Sequence, residues 1–361
     1  MAAFSTFTWM AAFCLAALSS TARSAEDSSA VGESRLAVPA HGAYTGAYID
    51  FGETEDAVTL PAIEAFEQLV GKHQAIVASS SYWGRGNFPT ENVQLIRAHG
   101  AIPLLYWSPW GPPYEQNRAR RVSERDPFTL ARIVAGECDD YIDRWADAAR
   151  EFGAPLLVSF GNEMNADWFP WGGVNNGGKN DGAELFKTAW RHVVARARTR
   201  GANNIAWVFQ ANATSVPAKS WNTMAAYYPG AEWVDWLALS VYGQLTPGDG
   251  NEDWVPWTEA MDKAYAEICA VDPTRPVMLA EWGVGEFPRD GDKGEFIRQA
   301  FTRIARGDYP RIKAAVFWHE RWQNKDESWS NLRVNSSPSA LRAYRAGVAD
   351  PFWLDRAAFT N

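Results

Sequence analysis

The chain is poor in the residues that build disulfide frameworks and metal clusters. Of 361 residues, three are cysteine, five histidine and six methionine. Cys14 falls in an apolar N-terminal run, which leaves Cys138 and Cys269 in separate helical stretches without metal-type spacing. Those stretches read as the third and sixth helices, which are not neighbours, so two buried thiols are expected and no bridge. His41, His73, His99 and His192 are scattered, with no HxH in the first strand-like run and no HExxH. That disfavours a metal-dependent hydrolase, and neither a metal nor a cofactor is expected.

Positive charge is also short. Lys and Arg number 34 against 43 Asp and Glu, a formal net charge of −9, so the footprint of a nucleic-acid binder is missing. A neutral polymer suits this surface better than an anionic one. No GxGxxG follows the first strand and no Walker motif occurs, which argues against a nucleotide-binding doubly wound sheet. The longest apolar stretch, Trp9 to Leu18, is too short to span a bilayer. It resembles the core of a secretory signal, and Ser20-Thr21-Ala22 satisfies the small-x-small rule for cleavage. Residues 1–22 are therefore read as a signal peptide and residues 23–40, rich in Ser and charge, as a linker. A secreted or periplasmic monomer follows, with no stable membrane insertion after signal removal.

What remains is globular, with 47% hydrophobic and 21% charged residues. Strand-like apolar runs alternate with helical stretches eight times. The runs begin near residues 42, 74, 101, 155, 204, 234, 276 and 312. The helical stretches span about 61–70, 91–99, 128–150, 183–200, 220–227, 257–271, 293–306 and 337–348 by the i, i+3/i+4 rhythm of their apolar residues. Near-continuous apolar strands are those of parallel sheets covered on both faces. Eight β/α units in this length match a (β/α)8 TIM barrel in one domain over residues 41–350, with a C-terminal tail at 351–361.

Two glutamates share one context. Glu163, in PLLVSFGNEMNADWFPWGG, and Glu281, in PVMLAEWGVGEF, each sit directly after a short apolar run and are flanked by tryptophan. They close the fourth and seventh strands, so both project into the mouth where a barrel carries its active site. Either alone reads as a solvated loop residue; the matched pair does not. Paired carboxyls amid aromatic rings are the equipment of glycoside hydrolysis. Tryptophan is over-used, with 19 copies, and those at strand ends could stack on sugar faces.

The sequence resembles glycoside hydrolase family 26 (the β-mannanase and lichenase type), of the clan of retaining glycosidases whose acid/base and nucleophile end strands four and seven. GNEMNADWFPWGG carries the resemblance, and LYWSPWG, TAWRHVVARARTRGANNIAWVFQAN, SVYG and LAEWG sit where the family has comparable segments. It implies a retaining endo-β-glycanase acting on β-mannan or β-glucan, with Glu163 as general acid/base and Glu281 as nucleophile. It also implies that Tyr242 holds the nucleophile, that Trp318 floors the subsite of the reacting sugar, and that Trp107 and Trp168 are further platforms. The family usually has His before the acid/base glutamate; this chain has Asn162. An asparagine there binds a sugar 2-hydroxyl in the wider clan, and an equatorial 2-hydroxyl is that of glucose, which turns the expectation slightly away from mannan.

Lesser candidates carry competing readings. His319 and Glu320 line the cleft or form a rim ion pair. Tyr48, Asp50, Tyr82 and Trp83 form distal subsites or packing. Trp207 and Trp236 read as core. The loop at 172–185 could hold a cation through its Asn and Asp side chains, although flexible loop is its default. The rival to hydrolysis is a catalytically weak glycan-binding or exopolysaccharide-associated protein on the same scaffold, and retention of both glutamates with Tyr242 and Trp318 argues against it.

Overall fold

The computed structural model describes residues 35–112, 126–248 and 253–360; the expected signal peptide and most of the expected linker lie outside these residues. The barrel strands are β1 (Ala43–Ile49), β2 (Ile76–Tyr82), β3 (Ile102–Ser108), β4 (Leu156–Phe160), β5 (Ile205–Asn212), β6 (Trp236–Tyr242), β7 (Val277–Gly283) and β8 (Ile312–His319). Each pairs in parallel with the next, and β8 pairs with β1 along Tyr44 to Ile49, which closes a (β/α)8 barrel. The strands are buried almost throughout, since the closed sheet faces its own interior on one side and helices on the other.

The covering helices are α1 (Leu60–Val70), α2 (Thr90–His99), α3 (Asp139–Phe152), α4 (Gly182–Thr199), α5 (Met224–Tyr227), α6 (Trp257–Val271), α7 (Lys293–Ala305) and α8 (Pro338–Val348). Along α3, Tyr141, Ile142, Trp145, Ala146 and Ala149 face the barrel. Its outer stripe Asp139, Asp143 and Asp147 meets His192 and Arg196 of α4 and its C-cap Arg200, each pair at the same sequence offset, as two parallel helices in register require. The stretch expected as one helix over 128–150 is broken. A short turn at Leu130–Val134 stops before Gly136, whose φ of +80° ends it, and α3 starts afresh with Cys138 as its N-cap.

The first and last of the described residues are tied together. Arg35–Leu36 pairs antiparallel with Phe359–Thr360, and Trp353–Leu354 adds beside β1. The segment expected as a tail thus forms part of the barrel's floor, with Trp353 buried. Cys138 and Cys269 are free thiols, the latter only half-buried. Among the described residues, no helix is long and apolar enough to cross a membrane.

Much of the tryptophan surplus fills the space between sheet and helices. Trp107 is fully buried there, stacked on Trp145 of α3 at 4.0 Å and donating to the Tyr141 hydroxyl at 3.0 Å. The expectation that Trp107 is a sugar platform is therefore corrected. Side chains alternate along a strand, so when Tyr106 points into the barrel its neighbour Trp107 must point out. Trp83 is buried in the same layer, 5.2 Å from Trp107, and is not a distal subsite either. Trp207 and Trp236 are core, as read. Replacing Trp107 by Ala should cost about 3–5 kcal/mol, the usual range for emptying such a site, read as a lower denaturant midpoint; an unchanged midpoint would contradict this placement.

Candidate active site

The strands' C-terminal ends open into a cleft of about 1140 Å³. That exceeds the usual volume for one small ligand, about 300–1000 Å³, so it suits an extended one. Glu163, Glu281, Asn162, Tyr242, Trp168 and Trp318 all line it; Trp107 does not.

Local backbone geometry sets the two central carboxyls. After β4 the chain turns sharply, with φ of +56° at Gly161 and +57° at Glu163. A left-handed glutamate persists only where its surroundings over-determine it. Here the Glu163 amide donates to the Gln210 carbonyl at 2.8 Å, and the Trp171 indole donates to the Asn162 carbonyl at 2.6 Å. The buried Asn165 side chain clamps the same turn to β5, donating to the Asn212 carbonyl and accepting from the Asn212 amide, each at 2.8 Å. The Gly- and Asn-rich loop that follows is built inward as well. Asn175 donates to the carbonyls of Asp167 and Phe169, and Asn176 to those of Pro170 and Gly172, so these amides serve the loop's own backbone.

Glu281 is aimed by a bulge. Leu239 sits opposite Leu279, but Ser240 sits opposite Glu281, so Ala280 is an extra residue on β7. The Tyr106 hydroxyl reaches across the barrel and donates to the Ala280 carbonyl at 2.8 Å, which pins the bulge.

The donor sets of the two carboxyls differ. Glu281 accepts from the Gln210 amide at 2.7 Å and the Asn162 amide at 3.5 Å on one oxygen, and from the Tyr242 hydroxyl at 2.8 Å on the other. Glu163 accepts from the Trp168 indole at 2.7 Å and from the Ser240 hydroxyl. Burial pushes both carboxyls above the usual carboxylate range, and the neighbouring Glu163 pushes Glu281 further. Tyr242 is held well above the ordinary phenol range by burial and by both glutamates, so it remains a donor. The Asn162 Oδ1 is buried without a partner among the described residues, and an arriving hydroxyl could supply one.

Trp318 forms the floor, stacked on Tyr48 at 4.0 Å, with its indole donating to Glu320 at 2.8 Å. Asp50 and Tyr82 reach the cleft, whereas Tyr48 lies beneath Trp318. His319 turns away: its ring packs edge-on to Phe66, its Nδ1 accepts from the Val334 amide at 3.1 Å, and burial pushes its pKa down to about 3. Asp50 pairs with Arg333 at the rim.

Sequence reasoning missed four contributors. Gln210, buried in the WVFQAN run, bonds both Glu281 and Ser240; a polar residue inside an apolar strand was its available signal. Tyr106 left the same kind of trace. Ser240 gave none. Glu55, in the acidic stretch GETEDA, resembled a solvated loop. It is instead half-buried at a φ of +54°, its carboxylate turned inward and accepting from Ser80 at 2.5 Å and Tyr82 at 3.2 Å, and desolvation raises its pKa.

Burial and then the charge of Glu55 push Glu320 up to about 8. An unfolded glutamate titrates near about 4.3, so between those values the native state holds a proton that the unfolded chain has released. The stability linked to that proton is present at low pH and is lost as pH rises through the window. The Glu320→Gln variant should accordingly lose less stability than the parent between pH 5 and 9 in urea titrations. Parallel pH profiles would overturn the assignment.

The profile of glycosyl hydrolase family 26 matches residues 63–283. Endoglucanase H of Acetivibrio thermocellus is 28% identical over 288 residues, which cover 80% of this chain and 29% of that protein. A mannan endo-1,4-beta-mannosidase of Bacillus subtilis is 24% identical over 266 residues, 72% of this chain and 61% of that protein. The chain thus spans less than two thirds of the length of these relatives. Among solved structures, the Bacillus subtilis mannanase man26 superposes with a TM-score of 0.58 at 18% identity, covering 87% of both chains. A modular endo-beta-1,4-mannanase of Cellulomonas fimi gives 0.59 at 18% identity, over 87% of this chain and 72% of that one. Those two likenesses speak for the fold. The family match spans most of the chain, and the chain belongs to glycosyl hydrolase family 26.

Proposed function

We propose that this family 26 member is an exported, retaining endo-β-glycanase whose substrate is a β-glucan, with β-mannan the alternative. The observation that carries the reading is the unequal donor set on the two buried carboxyls. Two carboxylates side by side cannot both stay charged in a water-poor site, so they share a proton. Gln210, Tyr242 and Asn162 satisfy a charge on Glu281, against Trp168 and Ser240 at Glu163. We assign the proton to Glu163, which also removes the charge that pushes Glu281 up.

In this mechanism Glu163 protonates the glycosidic oxygen while Glu281 attacks the anomeric carbon from the opposite face. A covalent glycosyl-enzyme forms and the aglycone leaves. Glu163, now a carboxylate, takes a proton from water, which attacks the same carbon and frees Glu281 with net retention. Tyr242 and Gln210 fix the attacking oxygen's direction through their hydrogen bonds. Trp318 and Trp168 offer ring faces to neutral sugars. Asn162 favours glucan, because its free Oδ1 lies beside the nucleophile, where an equatorial 2-hydroxyl would sit. Similarity to an endoglucanase over 80% of the chain supports the same choice. Residues 1–22 as an export signal, and a monomer in solution, belong to this proposal.

Glu281→Gln should lower turnover roughly ten-thousand-fold or more, as loss of a nucleophile does; near-normal activity would overturn the mechanism. Glu163→Gln should slow polysaccharide cleavage by about 10²–10⁴-fold while sparing the first step on aryl glycosides with good leaving groups, which need no acid. A reducing-sugar screen over lichenan, mannan, xylan and carboxymethylcellulose tests the substrate. Release from lichenan ahead of mannan is expected, and the reverse order would transfer the assignment to β-mannan. Glycan binding without release from any of them would leave a binding protein in place of an enzyme.

A further inference from the structure

We propose that Glu67, His73 and His99 form a binding site for a zinc-type divalent cation at the end of the barrel opposite the cleft. The three side chains come from separate pieces of chain. Glu67 lies on the last turn of α1, His73 in the loop leading to β2, and His99 ends α2. Folding converges them. The His73 Nδ1 lies 2.9 Å from one carboxylate oxygen of Glu67 and the His99 Nε2 lies 2.9 Å from the other. One ligand atom from each residue falls within 4.8 Å of the other two, and the imidazole centroids are 4.9 Å apart.

A tetrahedral zinc with N and O ligands at about 2.0–2.1 Å needs ligand atoms about 3.3 Å apart. Each histidine nitrogen is 2.9 Å from a different oxygen of Glu67, and one ligand atom from each residue lies within 4.8 Å of the others, so side-chain rotations would bring three ligands to that spacing around one ion. Two imidazoles with one carboxylate favour zinc and its neighbours over the oxygen-seeking Mg²⁺ and Ca²⁺. The three side chains are 13–15% exposed, at the bottom of a shallow depression rimmed by Glu64, Gln68 and Lys72. That gives an ion a path in and leaves the fourth position to water. Glu64 and Lys72 oppose each other in charge, so the Glu67 carboxylate sets the local potential.

The support around the trio is rigid where a ligand needs it. Glu67 also accepts the Gln74 amide at 2.8 Å, and the Gln74 side chain spans the Lys72 carbonyl and the Thr45 hydroxyl. The Nε2 of His73 is buried with no hydrogen-bond partner among the described residues. In the metal-free protein the Glu67 carboxylate holds the ring proton on Nδ1, and a cation bound there would take that proton's place, with the proton passing to Nε2. The scattered positions of the histidines hid this arrangement in the sequence. A bound ion would tie the end of α1, the loop into β2 and the end of α2 at the face of a barrel that serves stability.

The test uses the full chain without an affinity tag, stripped with EDTA and titrated with zinc chloride by calorimetry and thermal melting. One zinc per chain is expected, with a melting temperature raised by roughly 3–6 °C at saturating zinc. His99→Gln and His73→Gln each keep an amide that can donate to Glu67. Both should melt like the parent in EDTA, lose the zinc-dependent rise, and retain the parent's turnover with and without chelator. A parent whose melting ignores zinc, or variants that bind zinc as the parent does, would overturn the site.

Discussion

Two carboxyl groups held together in a water-poor cleft form the interaction on which the rest of this site depends. Leaving water costs each of them, and mutual repulsion costs the pair more. The protein answers with directed donors. Gln210 comes from β5, Tyr242 from β6 and Asn162 from the turn after β4, so three separate pieces of chain direct donors at Glu281. Glu163 receives the Trp168 indole and the Ser240 hydroxyl. In the proposed mechanism the difference between the two sets separates two chemically identical side chains into a proton donor and a charged group.

Holding that difference requires backbone that an isolated chain would avoid. Glu163 takes a left-handed conformation, and β7 carries an extra residue immediately before Glu281. Each irregularity is locked from elsewhere. Asn165 and the Gln210 carbonyl fix the first, and the Tyr106 hydroxyl fixes the second through Ala280. Closure of the sheet makes this possible, because it brings β3 against β7 across the barrel interior. The strain sits at the cleft, while the close-packed aromatic layer around Trp107 and Trp145 supplies stability.

The alternation of strands and helices was legible because parallel strands buried on both faces leave unbroken apolar runs. Glu163 and Glu281 were legible because each is an acid that ends such a run. The direction of a side chain was not. Trp107 and Tyr106 are adjacent and both aromatic, and only the pleat decides that one faces helix and the other cleft. Glu55 was hidden for another reason: an acidic loop that folds inward has the same composition as one that stays in water. The break at Gly136 and the pairing of Arg35–Leu36 with Phe359–Thr360 depend on a backbone angle and a long-range contact. The convergence of Glu67, His73 and His99 is of the same kind.

The inward turn of Glu55 extends the electrostatic logic of the site. Its charge raises the pKa of Glu163, Glu281 and Glu320, and of the Tyr48, Tyr82 and Tyr106 hydroxyls. A charged carboxylate that touches neither central glutamate thus raises both, and in the proposed mechanism it helps the pair retain its one proton. The same field disfavours anionic ligands and leaves neutral sugars, bound through hydroxyl groups and ring faces, unaffected. Acidity in this cleft and neutrality of the polymer proposed for it are therefore two sides of one constraint. A general acid needs neighbours that resist its ionisation, and only an uncharged substrate tolerates so many of them.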